Sequence, residues 1–128
     1  MRHPGLLNDI MFKIVFGSEQ GLPILRALLN ALLDLTGEQK IGELELLAPF
    51  HEKEYLVEKN PILDVKARDL TGKQYNIEVQ LRAGLDDYIK RSLYYVTRLF
   101  CDQIQAGQSY DLLAKTVSIS ILDFNLFP

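Results

Sequence analysis

The sequence predicts an α/β fold in which a small mixed sheet is flanked by helices. Three observations predict this class: two strand-like runs joined by a turn that contains glycine, apolar side chains at helical spacing before and after those runs, and an alternating run near the end of the chain. Along the chain these patterns follow the order helix, strand, hairpin, helix and strand. The expected core is therefore α-β-β-β-α-β.

Two helices are expected before the first strand. Asn8 or Asp9 can cap a short helix that ends at Gly17, and a second helix is expected over about residues 22–35. Apolar side chains recur at helical spacing in both helices, which predicts that these side chains face the core. They are Met11, Phe12, Val15 and Phe16 in the first helix, and Leu22, Leu25, Leu28, Leu29, Leu32 and Leu33 in the second.

A single strand and then a strand pair are expected in the middle of the chain. The single strand lies within residues 41–50, and a polar connector follows at residues 51–61. In the strand pair, a three-residue loop with Gly72 in the left-handed conformation makes Asp69 and Lys73 the closing residues. This loop determines the register of the two strands.

The register decides which side chains share a face, because successive residues of a strand point to opposite sides. One face is then mostly polar and the other is almost wholly apolar. A two-residue loop would shift the pairing by one residue and mix the faces, which a half-buried sheet disfavours. The polar face comprises Ile62, Asp64, Lys66, Arg68, Asn76, Glu78 and Gln80, and the apolar face comprises Leu63, Val65, Ala67, Tyr75, Ile77, Val79 and Leu81.

A third helix and a last strand follow the strand pair. The helix is expected over about residues 85–106, ended by Gly107, and the alternation within residues 115–124 predicts a half-buried strand. Tyr88, Arg91, Tyr95, Arg98 and Asp102 recur along one flank of the helix. Its apolar stripe, which is expected to face the core, comprises Leu85, Ile89, Leu93, Val96, Phe100 and Ile104.

Asp64 and Glu78 are directly opposed in the favoured register. Directly opposed residues have Cβ atoms roughly 4.5 to 5.5 Å apart, so two carboxylates there repel unless a cation lies between them or one takes a proton. A hard divalent cation such as magnesium meets this need. The alternative is an ordinary charged face on which Lys66 and Arg68 neutralise the acids, and the strand pair alone leaves both open.

Composition limits the classes of function. The 128 residues are 48% hydrophobic and 24% charged, which predicts one soluble domain over residues 1–128. The formal net charge of −3 gives no global positive field, so any contact with nucleic acid has to be local or mediated by a metal. We expect a cytoplasmic protein with no membrane partner, because no apolar stretch has the length of a membrane span and the first residues are unlike a signal peptide.

Cysteine and histidine usage excludes other chemistries. The single Cys101 cannot form an internal disulfide, and its apolar surroundings predict a buried, reduced thiol. His3 and His51 have no third ligand at a suitable spacing, so we expect surface residues and no zinc site. No nucleophile has an evident histidine partner, and no glycine-rich phosphate loop is present.

Six segments, in a shared order and spacing, carry a resemblance to a known family. They are NDIMFKIVFG at residues 8–17, LLN at 28–30, ILDVKA at 62–67, NIEVQ at 76–80, RSLYY at 91–95, and the stretch from Gln103 through Gly107 to Tyr110. Together they resemble the Rpn-type recombination-promoting nucleases or transposases of the PD-(D/E)XK nuclease superfamily. The resemblance spans nearly all of the chain and implies a restriction-endonuclease-like core. It also implies longer relatives, and the abrupt apolar end agrees with a chain truncated at its C-terminus.

The resemblance implies metal-dependent cleavage of DNA, connected with recombination or mobile elements. Asp64 and Glu78 would hold Mg²⁺, for which Mn²⁺ can substitute, and Gln80 would position the attacking water. Asp9 would complete the metal shell through a water, although a plain helix cap is an open alternative. Two departures from the superfamily pattern stand out: Leu63 replaces the proline before the first acid, and Gln80 replaces a lysine, as is usual for this family.

Gln80 cannot stabilise a developing anion as an ammonium group does, so another cation is expected to supply that charge. Lys66 or Arg91 could do so. We expect Lys66, Arg91 and Tyr95 to contact DNA, whereas Arg98 is more consistent with a solvated helix face. Lys13 is expected to pair with Asp9 on an exposed helix.

Two wider alternatives remain open at this point. The same fold could be kept as a catalytically silent DNA-binding or protein-interaction module, although intact Asp64, Glu78 and Gln80 argue against this. Double-strand cleavage by a domain with one site commonly calls for two copies, which leaves a homodimer open.

Overall fold

A computed structural model of the protein describes residues 11–47, 64–80, 88–122 and 125, with Gln80 described by its backbone alone. The described helices are α1 at residues 11–16, α2 at Leu22–Leu32 and α3 at Tyr88–Cys101. The described strands are β1 (Leu44–Leu46), β2 (Val65–Asp69), β3 (Gln74–Gln80) and β4 (Thr116–Leu122). None of these helices combines the length and the apolar character that crossing a bilayer requires.

The described strands form one mixed sheet in the order β1-β2-β3-β4. β2 is antiparallel to both of its neighbours, whereas β3 and β4 are parallel. Parallel neighbours need a crossover connection between them, and α3 lies in that connection. The sheet with its flanking helices confirms the predicted α/β class.

β2 and β3 pair in the predicted register. Val65 lies opposite Ile77, and Gly72 in the loop has a φ of +90°, in the left-handed region that favours glycine. The amide of Asp69 donates to the carbonyl oxygen of Lys73 at 2.9 Å, which makes these two residues the closing pair. The prediction of a three-residue loop is therefore confirmed.

The carboxylate of Asp69 organises the same loop. Its Oδ1 accepts hydrogen bonds from the amide of Thr71 at 2.9 Å and from the Thr71 hydroxyl at 2.6 Å. Its Oδ2 accepts from the hydroxyl of Tyr75 at 3.0 Å. Burial, assisted by this carboxylate, raises the pKa of Tyr75 to about 12. The loop and the adjacent strand are thus tied together by one side chain.

The apolar face of the sheet packs against α2. Leu25 and Leu29 of α2 are fully buried, as are Val65 and Ile77 of the sheet. Burying one such side chain stabilises the fold by about 1.5 to 3 kcal/mol. The remaining buried members of this core are Ile41, Leu46, Ala67 and Tyr75, and partly buried neighbours include Phe12, Phe16, Leu44, Val117, Ile119 and Ile121. The residues that β4 and the strand pair contribute here face the core as predicted, whereas Leu63 and Leu81 lie outside the described residues.

α2 ends earlier than predicted. Asp34 has a φ of 51°, a left-handed conformation that stops the helix, so the last helical residue is Leu32 instead of one near residue 35. Leu32 itself is 47% exposed, and its prediction as a core residue is wrong. The predicted leucine pattern is correct for Leu25 and Leu29, which face the sheet.

The inward face of α1 also differs from the prediction. Phe12 and Phe16 pack against the core, with ring centroids 4.7 Å apart. Met11 and Val15, predicted for the same face, are exposed. Lys13, on the same helix, is buried instead.

α3 turns a different face toward the sheet than its apolar stripe predicts. Within the described part of that stripe, Ile89 is 52% exposed and Leu93 is 63% exposed. The buried residues of the helix are Tyr88 and Leu99. The sheet face under α3 is the polar one, so the flank that carries hydrogen-bonding and charged groups packs there, because buried polar groups need such partners. Cys101, predicted to be a buried thiol, is exposed for the same reason.

Candidate functional site

Asp64 and Glu78 lie on the polar face, where β2 begins and β3 approaches its end. Val65 is opposite Ile77, so the next position along the same register opposes Asp64 to Glu78. Asp64 is 5% exposed, and the side chain of Glu78 is 18% exposed. Removing carboxylates from water in this way is costly unless cations lie close to them. The structure supplies such cations to both acids.

Two lysines meet at Asp64. Nζ of Lys66 lies 3.9 Å from Oδ2 of Asp64, and Nζ of Lys13 donates a hydrogen bond to the main-chain oxygen of Asp64. Burial lowers the pKa of Lys13; the charge of Asp64 opposes this change and the charge of Lys66 adds to it. The acid is therefore balanced by cations from two elements, α1 and β2.

Arg91 partners the second acid. Its Nη2 donates to Oε1 of Glu78 at 2.9 Å, and its Cζ lies 5.3 Å from the centroid of the Tyr88 ring, within cation–π distance. Tyr88 is 1% exposed, and burial raises the pKa of its hydroxyl, an effect that its hydrogen bond with Ser120 opposes. The guanidinium group is thus held by a carboxylate and an aromatic ring.

Asn76 adds an oxygen atom to the same face. It pairs with Lys66 of β2 and Ser118 of β4, two residues before Glu78. Asn76 is 2% exposed, and its Oδ1 has no hydrogen-bond partner within the described residues. Leaving a buried acceptor unsatisfied costs about 1 to 3 kcal/mol. A cation or a donor at this position would remove that cost.

A groove of about 290 Å³ lies between Lys66 of β2 and the C-terminal half of α3. Its lining residues are Lys66, Tyr94, Tyr95, Arg98, Leu99 and Asp102. The structure therefore brings Lys66 and Tyr95, both predicted to contact DNA, to one groove, and Arg91 precedes Tyr95 by one helical turn.

Arg98 differs from these residues because it lies at the surface. Its side chain is 65% exposed and forms an ion pair with Asp102 at 3.8 Å. It also donates to the hydroxyl of Tyr94 at 3.2 Å, a bond that raises the pKa of Arg98. This exposure agrees with a solvated helix face.

Several predicted residues lie outside the described part of the chain. They are Asp9, His3, His51 and the side chain of Gln80; the backbone of Gln80 lies in β3 and pairs with Leu122. Within residues 11–47, 64–80 and 88–122, no three His, Cys, Asp or Glu side chains form a group able to hold a metal ion. Within these residues, Asp64 and Glu78 are therefore the candidate carboxylates for binding a metal.

Lys13 is the site residue that sequence reasoning missed. Its expected place on an exposed helix face is wrong, since the residue is 7% exposed and contacts Asp64, 51 positions further along the chain. A signal was present in the sequence: Lys13 follows Phe12 by one residue and precedes Phe16 by three, so it lies beside the aromatic pair on the helix. A lysine at such a position has two options. Its long stem can carry the ammonium group out to solvent, or the ammonium group can be buried against an acid.

The residues present fit a hard divalent cation. Asp64, Glu78 and Asn76 offer oxygen donors, the ligand type that Mg²⁺ and Mn²⁺ prefer. The Oδ1 of Asn76, which no described residue contacts by a hydrogen bond, gives this part of the polar face unused acceptor capacity. Lys66 and Arg91 would compete with the metal for the two acids, so a metal that enters here displaces or reorients them.

Comparison with known sequences identifies the family of the chain. The profile of a family described as PD-(D/E)XK nuclease family transposase matches residues 6–128. No curated protein and no solved structure gives a significant match. The matched span includes both acids and the helices that bring Lys13 and Arg91 to them. The family resemblance seen in the six sequence segments is therefore confirmed.

Proposed function

Because the chain belongs to the PD-(D/E)XK nuclease family of transposases, we propose that it is a metal-dependent endonuclease that hydrolyses phosphodiester bonds of DNA in recombination or mobile-element movement. The observation that carries the proposal is the pair Asp64 and Glu78, opposed across β2 and β3 by the observed register. Their carboxylate oxygens suit Mg²⁺, and Mn²⁺ can take its place.

Asp64 and Glu78 are the side chains that would hold the metal. When bound, such an ion acidifies a coordinated water and withdraws charge from the scissile phosphate. Asp9 would contribute through a water, and the amide of Gln80 would orient the attacking water. These roles follow the family pattern, with the acids carrying the chemistry.

Hydrolysis joins the oxygen of water to phosphorus and breaks one phosphorus–oxygen ester bond, whose leaving oxygen takes up a proton. Negative charge increases on the non-bridging oxygens while the new bond forms. Lys66 and Arg91 lie next to the acids and would offset that charge. Tyr95, in the groove with Lys66, would stack on an unpaired base.

A second candidate is a nuclease fold kept for binding without turnover. One observation favours it: Glu78 forms an ion pair with Arg91, and Lys66 lies near Asp64, as on an ordinary charged face. In that case the acids hold the fold together, and DNA or another protein is bound with no metal requirement.

Metal removal distinguishes the two candidates. We expect supercoiled plasmid DNA to be nicked in the presence of Mg²⁺ or Mn²⁺, and the nicking to stop when EDTA is added and to resume when excess metal is restored. Cleavage that survives chelation would contradict the proposal. An early linear product in the same assay would support a homodimer, which the sequence leaves open, because both strands would then be cut in one encounter.

Replacing Arg91 with methionine is expected to weaken DNA binding in EDTA and to reduce the slope of log affinity against log salt concentration by about one. The guanidinium group would be one phosphate contact among several. Fluorescence anisotropy of a labelled duplex over a series of salt concentrations measures this slope.

Arg68→Met is the matched control for this experiment. Arg68 forms an ion pair with Glu45 at 2.7 Å, but the two side chains are 41% and 64% exposed, against 31% for Arg91 and 18% for Glu78. Exposed pairs contribute at most about 1 kcal/mol to stability, and we expect little change in binding. Equal salt slopes for Arg91→Met and wild type would exclude Arg91 from the DNA interface.

A further inference from the structure

Lys13 is more deeply buried than Lys66 and Arg91, the other two cations of the site. It is 7% exposed, whereas the side chains of Lys66 and Arg91 are each 31% exposed. Lys13 passes close to Gly17: a Cβ at residue 17 would lie 2.5 Å from the main-chain oxygen of Lys13, 3.1 Å from its Cδ and 3.4 Å from its Cε. Glycine at this position therefore leaves room for the buried stem.

Burial of Lys13 has a cost that its neighbours offset. Taking an ammonium group out of water is unfavourable unless it meets an acid and hydrogen-bond acceptors. Lys13 meets both in Asp64, whose main-chain oxygen accepts its hydrogen bond and whose charge attracts it. The geometry links Asp64 to an amino group contributed by a distant helix.

Among the described residues, three cations, Lys13, Lys66 and Arg91, face two acids, Asp64 and Glu78. This described part of the site carries a formal excess of one positive charge, with Asp9 not counted because it lies outside these residues, in a chain whose net charge is −3. A divalent metal raises this excess further, whereas a phosphodiester lowers it. Metal and phosphate are therefore expected to favour each other at this site.

Resting on the proposed nuclease function, we propose that Lys13 is a positioning residue that fixes Asp64 and makes metal binding depend on a DNA phosphate. Its charge repels a metal that arrives alone and attracts the phosphate that accompanies it. Lys66 and Arg91, being more exposed, can move toward phosphate oxygens, but the buried Lys13 cannot leave the acid. Lys13 thus supplies a positive charge that the uncharged Gln80 lacks.

Two substitutions separate the charge of Lys13 from its hydrogen bond. Lys13→Met removes both, while Lys13→Gln keeps a donor for the main-chain oxygen of Asp64 and removes the charge. Lys40→Met is the control, since Lys40 is exposed and lies near the hairpin loop, at the other end of the strand pair. All three are compared with the full wild-type chain.

Calorimetric titration with Mn²⁺ in the absence of DNA is the deciding measurement. We expect both Lys13 variants to bind Mn²⁺ about tenfold more tightly than wild type, to bind duplex DNA in EDTA about tenfold more weakly, and to cleave plasmid at least about 100-fold more slowly. Lys40→Met is expected to match wild type in all three measurements.

A merely structural role for Lys13 predicts a different pattern. Mn²⁺ would then bind Lys13→Met no more tightly than wild type, and Lys13→Gln would behave like wild type; either result would overturn the inference. The metal titration needs no turnover, so it decides the role of Lys13 even if wild type cleaves no DNA. Absence of cleavage with every metal would instead refute the proposed nuclease function.

Discussion

Glu78→Gln is expected to slow metal-dependent DNA cleavage by at least about 100-fold, which corresponds to about 3 kcal/mol of lost transition-state stabilisation. Glutamine keeps the size of the side chain and an oxygen that can accept from Arg91, so the sheet is expected to fold unchanged. The substitution removes the negative charge that would hold the metal. Plasmid nicking at several Mn²⁺ concentrations measures both the rate and the metal requirement.

Glu45→Gln provides the matched control. Glu45 lies on β1, and it also forms an ion pair with an arginine, Arg68, but its side chain is 64% exposed and lies away from the opposed acids. We expect its cleavage rate and metal requirement to equal those of wild type. Should both glutamine variants cleave at the wild-type rate, Glu78 would be excluded as a metal ligand.

Leu29→Ala is expected to lower the free energy of unfolding by about 2 to 5 kcal/mol. Leu29 is fully buried between α2 and the apolar face of the sheet, so truncation removes buried methyl groups and leaves a cavity. A loss of this size is a large fraction of the stability of an ordinary domain. Urea denaturation followed by circular dichroism measures it, together with the slope of the transition.

Leu32→Ala tests whether this loss comes from burial and not from the helix itself. Both residues lie on α2 and undergo the same chemical change, but Leu32 is 47% exposed. We expect a loss below about 1 kcal/mol for Leu32→Ala. Equal losses for the two variants would contradict the observed orientation of α2.

The strand pair is the part of the fold that the sequence predicts best. The loop with Gly72 sets the register, and the register sorts apolar and polar side chains onto separate faces, so local chemistry and burial agree. The same arithmetic places Asp64 opposite Glu78. The register can be predicted because β2 and β3 are neighbours in the sequence, so the conformation of their short loop determines how they pair.

The faces of the helices are predicted less well because they depend on what each helix covers. α3 has an apolar stripe that contains Leu93, yet the sheet beneath it offers Glu78 and Ser120. Those polar groups select the flank that contains Arg91, so Leu93 lies in solvent. Hydrophobic periodicity alone assumes an apolar partner, and that assumption fails here.

The sequence predicts only part of the candidate site, because one of its residues comes from a distant segment of the chain. Asp64, Glu78, Lys66 and Arg91 are near one another in space, as their strand and helix positions suggest. Lys13 reaches Asp64 from a helix 51 positions earlier in the sequence, and no local rule connects the two. Its burial also contradicts the usual expectation that lysine lies in solvent.

The parallel pairing of β3 with β4 has a consequence for the order in which the protein folds. β2 and β3 form a local hairpin with a short loop, whereas Glu78 and its neighbour Ser120 on β4 are far apart in sequence. Closing a long loop costs more conformational entropy, so the hairpin is expected to form before β4 docks. The two acids are therefore brought together early, and Arg91 reaches Glu78 only once the crossover segment has folded onto the sheet.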